Sequence, residues 1–330
     1  MHYILKFVFI LYYLQKLLMA KANTMIYKKA FRLLLPTFFS CMGHRYVHAQ
    51  GADSLLNFIK QNSSRSAVYI SKNGNILAKL NENKLMPLAS TVKILVAVEF
   101  AKQAGSNVLN ESEYVPLAEL NKYYLPGTDG GAHSAWLDFE AASKHIKQDS
   151  IQLINVARGM ILFSSNANTE YLMDRLGLDN IKTNTKLFGL TQHTAIFPLV
   201  SSLFLYQNPN KAKEGKIIKG IRDLTEEQYC KTIYEIHNAL KYDTVLKKKF
   251  RLQDLSMNMQ KCWSDRLTAS TTKEYVQLCT VLNNRKYLNA DSYAVLAEEL
   301  ESIMENPLNQ KIYKHFGLKN GSTAFVLTEA

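Results

Sequence analysis

The chain has 330 residues, 47% of them hydrophobic and 21% charged, with only 14 Gly and 7 Pro, which excludes wholesale disorder, collagen-like repeats and linker-rich architectures. Lys and Arg number 40 against 28 Asp and Glu, a net charge of +12, yet seven of those cations and no carboxylate fall in the first fifty residues. The body then holds 33 cations against 28 carboxylates, and so scattered an excess, with no arginine-rich helix, excludes a nucleic-acid partner.

From Met25 the chain reads Lys28, Lys29 and Arg32, then an apolar run from Leu33 to Cys41, then Val47-His48-Ala49. A basic start, an apolar middle and small residues at a cleavage point make a secretory leader over residues 1–49, with translation starting at Met25 and cleavage after Ala49. The expected location is secreted or periplasmic. The apolar stretch Tyr3 to Leu18, broken by Lys6 and Lys16, offers a membrane anchor as the alternative, so any membrane contact is through an uncleaved leader.

The body begins with helical spacing from Asp53 to Gln61. Ala67-Val68-Tyr69-Ile70 and Ile76-Leu77-Ala78-Lys79-Leu80 flank Asn73-Gly74, the strongest short hairpin signal. From Pro87 to Gln103, stopped by Gly105, the spacing predicts a helix that is apolar almost all round and therefore buried. Pro126, Gly127, Gly130 and Gly131 predict a turn-rich stretch. Ser150 is read as the cap of a helix carrying Ile151, Ile154, Ala157 and Met160, broken near Phe163 to Asn166 and resumed from Thr169 to Leu176, where Gly177 stops it.

Further helices are predicted after the capping box Thr225-Glu226-Glu227-Gln228, after Ser270-Thr271-Thr272, and from Asp291 to Met304. Gly317 to Leu327 reads as a strand. The order of hairpin, many helices and strand predicts an α+β fold in which the first and last strands meet in one antiparallel sheet packed on an all-helical part.

Beyond the leader lie Cys230, Cys262 and Cys279, an odd number without Cys-x-x-Cys spacing, and His133, His145, His193, His237 and His315 stand singly. No metal and no cofactor is expected. The chemistry starts at Ser90-Thr91-Val92-Lys93. Spacing of i, i+3 on a helix sets Lys93 beside the Ser90 hydroxyl, burial lowers an ammonium's pKa, and the helix start offers N–H groups to an oxyanion. Ser164-Ser165-Asn166 follows in a helix break, and Lys319-Asn320-Gly321-Ser322 opens the last strand.

Ser-x-x-Lys, Ser-x-Asn and Lys-x-Gly in that order, with Pro87-Leu88-Ala89 before the first and Leu176-Gly177 after the second, resemble the class A β-lactamase and penicillin-binding serine hydrolase family. The resemblance implies Ser90 as the acylated nucleophile, Lys93 as its activating partner and Ser164 as the relay of a proton to the leaving nitrogen. It implies that Asn166 holds the substrate's amide carbonyl and Lys319 its carboxylate, with Asn320 in the place of a Thr or Ser. Gly321 would let substrate approach the backbone, and the N–H groups of Ser90 and Ser322 would form the oxyanion hole. A β-lactam or peptidoglycan-derived small molecule is then the expected partner, acting on a monomer.

The pattern departs from the family at three points. Ser165 stands where Asp is common, no Glu-x-x-Leu-Asn follows Leu190, and the chain stops nine residues after Gly321, where the family continues with a strand and a helix. Residues 50–330 are thus expected to form one hydrolase domain with an insertion-like region at about 197–260 and the last strand and helix missing. Hydrolysis of a β-lactam amide through acyl-Ser90 is the first expectation. A peptidoglycan D,D-peptidase, an esterase or a non-catalytic ligand-binding relative are the alternatives.

Lesser candidates are Tyr123, Tyr124 and Trp136, as cleft walls or loop packing, and the run Lys247-Lys248-Lys249-Phe250-Arg251, read as a solvated helix end before an anionic-polymer contact. Asp129 and Asp138 are set aside as a carboxylate pair because nothing fixes their spacing.

Overall fold

The computed structural model describes residues 47–207 and 212–330. The expected leader lies outside the described residues save for Val47 to Ala49, as does the apolar stretch Tyr3 to Leu18. Among the described residues no helix is long and apolar enough to cross a membrane. Two compact units divide at Ala67. The first contains helix α1 (Val47–Gln61), which includes the span predicted from Asp53.

The second unit, Val68–Ala330, opens with the predicted hairpin of β1 (Val68–Lys72) and β2 (Asn75–Leu80), paired Lys72 to Asn75 and Val68 to Leu80. Asn73 and Gly74 take φ of +53° and +79°, the positive values that a two-residue turn between right-twisted strands requires. Strand β3 (Met86–Pro87) leads through a 3-10 turn, Ala89–Val92, into α2 (Lys93–Gly105). Lys93 to Ala101 are all buried in α2, seven apolar residues with Lys93 and Glu99 among them.

Next come β4 (Tyr114–Pro116), α3 (Leu117–Asn121), α4 (Ala132–Ala142), β5 (Ser150–Gln152), α5 (Leu153–Leu162), α6 (Asn166–Leu176) and α7 (Leu178–Leu187). They are followed by α8 (Leu199–Leu203), α9 (Glu214–Arg222), α10 (Glu226–Tyr242), α11 (Thr244–Lys249), α12 (Met257–Asp265), β6 (Ala269–Ser270), α13 (Thr272–Asn283), α14 (Ala290–Leu300), α15 (Pro307–Gln310), β7 (Asn320–Ser322) and β8 (Leu327–Glu329). Helix α2 is the axis, with α5, α6, α7 and α14 packed around it. A second apolar cluster gathers Leu125 with residues from Phe197 to Cys262 of α8, α9, α10 and α12.

The α+β class holds: the unit is mostly helical with small antiparallel sheets. Three expectations change. The first and last strands do not share a sheet, because β1 lies against α13 while β7 and β8 pair with each other. Gly317 to Leu327 is not one strand. Thr323 N donates to Val326 O at 2.9 Å, and Phe325 N and Val326 N both donate to Thr323 Oγ1 at 3.1 Å, which closes a turn between β7 and β8. Ser150 caps no helix, since Ser150–Gln152 pairs with Tyr114–Pro116 and the helix starts only at Leu153.

Thr225 forms the predicted capping box with Gln228, and Thr271 caps α13. Cys230, Cys262 and Cys279 are free thiols.

Glu299 of α14 is wholly buried, and neither carboxylate oxygen finds a hydrogen-bond partner. Burial first, then the charges of Glu298 and Glu111, push its carboxyl well above the ordinary range. The native state therefore keeps a proton that the unfolded chain releases near 4.5, so this group's stabilisation is full below that pH and drains away as pH rises. Glu299→Gln is expected to raise the Tm over wild type at pH 8 and to lose that advantage near pH 4.5. Equal Tm differences at both pH values in thermal unfolding would show that no proton is coupled there.

Candidate active site

The Ser90 turn is anchored by backbone chemistry. Strand β3 pairs with β6, and Leu88 N donates to Thr268 O at 2.8 Å. The Leu88 carbonyl then accepts from Thr91 N at 3.0 Å, Thr91 Oγ1 at 2.6 Å and Thr328 Oγ1 at 2.8 Å. That single oxygen joins the turn to the last strand across 240 residues of sequence. Buried Ala89 takes φ +45°, an uncommon conformation for a residue with a Cβ, directly before Ser90.

Lys93 begins α2 one turn after Ser90, and its backbone N–H reaches Ser90 O and Thr91 O. Its side chain is wholly buried. Nζ lies 2.8 Å from Ser164 O, 2.8 Å from Asn166 Oδ1 and 3.2 Å from Ser164 Oγ. The first two oxygens carry no proton and take N–H groups from the amine. The Ser164 hydroxyl can give a proton as well as receive one.

Ser164 sits at φ +66° in the break between α5 and α6, which turns both its carbonyl and its hydroxyl toward Lys93. Lys319, 1% exposed, brings Nζ to 3.1 Å from the same hydroxyl. Two buried lysines therefore meet at one serine oxygen. The turn is held from behind by Ser165, whose Oγ caps α6 by accepting Asn168 N at 3.2 Å and lies 2.9 Å from His133 Nδ1. His133 is fully buried, and burial lowers its pKa against the raising charge of Asp129. A neutral imidazole can accept the Ser165 hydroxyl proton while that hydroxyl accepts Asn168 N–H.

Just before β7, Lys319 and Ala330 exchange both backbone bonds at 2.8 and 2.9 Å, so in antiparallel alternation Gly321 is the next bonded residue. The N–H groups of Asn320 and Ser322 then leave the opposite edge. Gly321 packs on the Ser90 turn so closely that a Cβ would stand 2.4 Å from Ser90 N, 2.8 Å from Thr328 Oγ1 and 3.0 Å from Leu88 O. Only glycine fits there.

The structure thus brings Ser90, Lys93, Ser164, Asn166, Lys319 and Gly321 together. Asn320 and Ser322 lie on the same strand, opposite Glu329 and Leu327, with Ser322 exposed. Trp136 lines no cleft, for it is wholly buried with Nε1 donating to Glu140 at 3.0 Å. Tyr124 packs its ring on His133, and the Tyr123 hydroxyl donates to Asp174 at 2.8 Å. Asp129 closes a local turn by accepting Gly131 N and His133 N at 3.1 and 3.0 Å. The run from Lys247 is not wholly solvated, because Lys247 Nζ donates to the carbonyls of Asn121 and Lys122 behind α3.

Sequence reading missed Glu170, Asp174 and His237. The two carboxylates are four apart on α6 and Glu170 is four after Asn166, a helical spacing that was legible, whereas their meeting with His237 is tertiary.

The profile of the Beta-lactamase enzyme family matches residues 52–311. The chain belongs to that family. It is a serine hydrolase of the β-lactamase superfamily. Among solved structures, it is similar to the TLA-3 extended-spectrum β-lactamase at 13% identity, covering 82% of this chain and 77% of that one with a TM-score of 0.47. A β-lactamase from Chitinophaga pinensis shows 15% identity over 82% and 78% of the two chains, with a TM-score of 0.47. PBP-A shows 17% over 82% and 77%, with a TM-score of 0.44. No curated protein matches the chain.

Gly321→Ala is expected to force β7 off the Ser90 turn at a cost of roughly 1–3 kcal/mol, the usual range for overpacking. Thermal unfolding checks it, and an unchanged Tm would mean that the turn and strand separate freely.

Proposed function

We propose that this protein hydrolyses an amide, in the first place a β-lactam, through an acyl-Ser90 intermediate. The observation that carries the reading is the convergence of Lys93 and Lys319 on the Ser164 hydroxyl, beside the turn that holds Ser90. Ser90 Oγ gives its proton to the neutral amine of Lys93 and forms a bond to the substrate carbonyl carbon. The Ser90 and Ser322 N–H groups receive the oxyanion. As the C–N bond breaks, the leaving nitrogen takes a proton from Ser164, and Lys93 resupplies that hydroxyl. Asn166, with Oδ1 held by Lys93, offers its amide N–H to the substrate carbonyl outside the ring, while Lys319 draws in the carboxylate and Asn320 hydrogen-bonds it.

A second reading, a peptidoglycan D,D-peptidase or penicillin-binding relative with a long-lived acyl-enzyme, is favoured by one observation. Glu170, the carboxylate four residues after Asn166, is occupied with the N–H groups of Val200 and Ser201, at 2.6 and 3.2 Å. We place either activity outside the cytoplasm, on the pattern of the leader.

Intact-mass analysis after mixing with penicillin separates the readings. A Ser90-dependent adduct that decays with release of product supports hydrolysis, and a persistent one supports the second reading. Ser90→Ala is expected to abolish the adduct. No adduct on folded wild type would sink β-lactam acylation and leave an esterase or a ligand-binding relative. Lys93→Ala is expected to slow acylation by roughly 10²–10⁴, the worth of a positioned general base. A near-wild-type acylation rate would remove Lys93 from that role.

A further inference from the structure

Glu170 and Asp174 occupy one face of α6, and α10 inserts His237 between them. Its Nδ1 lies 3.1 Å from both Glu170 Oε2 and Ser201 Oγ and its Nε2 2.9 Å from Asp174 Oδ1, with the imidazole 3% exposed. Lys241, one turn along α10, donates to Asp174 at 2.6 Å, the Tyr123 hydroxyl donates to it at 2.8 Å, and Lys247 of α11 faces Glu170. Tyr171 packs on Tyr123. An imidazole with both nitrogens on carboxylate oxygens donates to both only when it carries two protons.

Glu170 also accepts Val200 N, Ser201 N and Ser201 Oγ, at 2.6, 3.2 and 3.1 Å, which seats α8 against α6. From α8 the path continues. Ser202 Oγ accepts Trp263 Nε1 at 2.7 Å, and next to Trp263 the hydroxyl of Ser264 lies 2.8 Å from that of Thr323, the neighbour of Ser322. One hydrogen-bonded wall thus runs from the helix that Asn166 opens to the strand that Lys319 introduces.

We propose that His237, protonated on both nitrogens, is a positioning residue that holds Glu170 against α8 and so fixes this wall between Asn166 and Ser322 for the substrate. The proposal rests on the acyl-Ser90 reading for its effect on rate. Burial works to lower the His237 pKa, but the hydrogen bonds and charges of Asp174 and Glu170 outweigh it and raise it to about 9. Asp174 moves the other way. Burial would raise it, but its bonds to His237, Lys241 and Tyr123, with the His237 charge, bring it to about 2. The His237 contribution is full below 6.5 and fades as pH rises through about 9, while that of Asp174 is present above 3.8 and lost only toward pH 2.

The test uses the full chain with His237→Gln and, should that fail to fold, Asp174→Asn, which removes one end of the pin. Hydrogen exchange at matched pH reads the seating. Exchange of Val200 and Ser201 amides is expected to rise by about 10-fold in the variant at pH 6.5, with α5 amides unmoved. Penicillin acylation of Ser90 reads the consequence: about 10-fold weaker substrate binding with the acylation step within about twofold. The variant's deficit is expected to shrink between pH 6.5 and 9.5, as wild type loses its own pin. Unchanged exchange overturns the proposal, as does faster exchange with wild-type binding. Wild type that is not acylated at all defeats the acyl-Ser90 reading instead, and the exchange result then decides the seating by itself.

Discussion

A lysine buried at the head of the central helix α2 is the constraint around which this site is built. An ammonium or amine removed from water needs oxygen partners, and the neighbours of Lys93 in the first turn of α2, Ile94, Leu95 and Val96, have none to give. The Ser164 to Asn166 turn does so, with a carbonyl, a hydroxyl and an amide oxygen. To present all three, the chain must leave α5, pass through a positive φ at Ser164 and restart as α6 within three residues. Ser165 makes that restart possible by capping α6, and His133 holds Ser165. The usual carboxylate of this turn is thereby exchanged for a neutral pair, which adds no negative charge beside the two lysines.

A second constraint is carried by one carbonyl. Leu88 O collects the first turn's backbone, a threonine hydroxyl of that turn and a threonine hydroxyl of β8, so the Ser90 turn and the β7–β8 pair are fixed as one object. The close approach that results excludes any side chain at Gly321. The glycine of the third motif is therefore demanded by packing against Ser90 itself, before any substrate enters.

The motifs were legible because each is local: a cap, an i, i+3 spacing, a glycine before a turn. The buried pattern of α2, the Asn73-Gly74 hairpin and the Thr225 capping box are likewise decided by residues within a few positions of one another. Partnership was not legible. Ser150 has the chemistry of a helix cap, yet Tyr114–Pro116 lies alongside and draws Ser150–Gln152 into a ladder. The last apolar run has strand propensity throughout, but Thr323 accepts two backbone N–H groups and folds it back. His237 stands 67 residues from Glu170, and nothing near either announces the other.

The same physics decides what the site's carboxylates can do. A carboxylate that activates water must leave a lone pair free and directed at it, whereas one that holds backbone N–H groups is stronger the more of them it gathers. Glu170 has taken the second course, with Val200, Ser201 and His237 on its oxygens. Helix α8 needs such an anchor, because the N–H groups of Val200 and Ser201 at its start, buried beside α6, would otherwise lack acceptors. Seating α8 and activating a water thus compete for one residue type in one small volume. In this chain Glu170 on α6 is committed to seating α8.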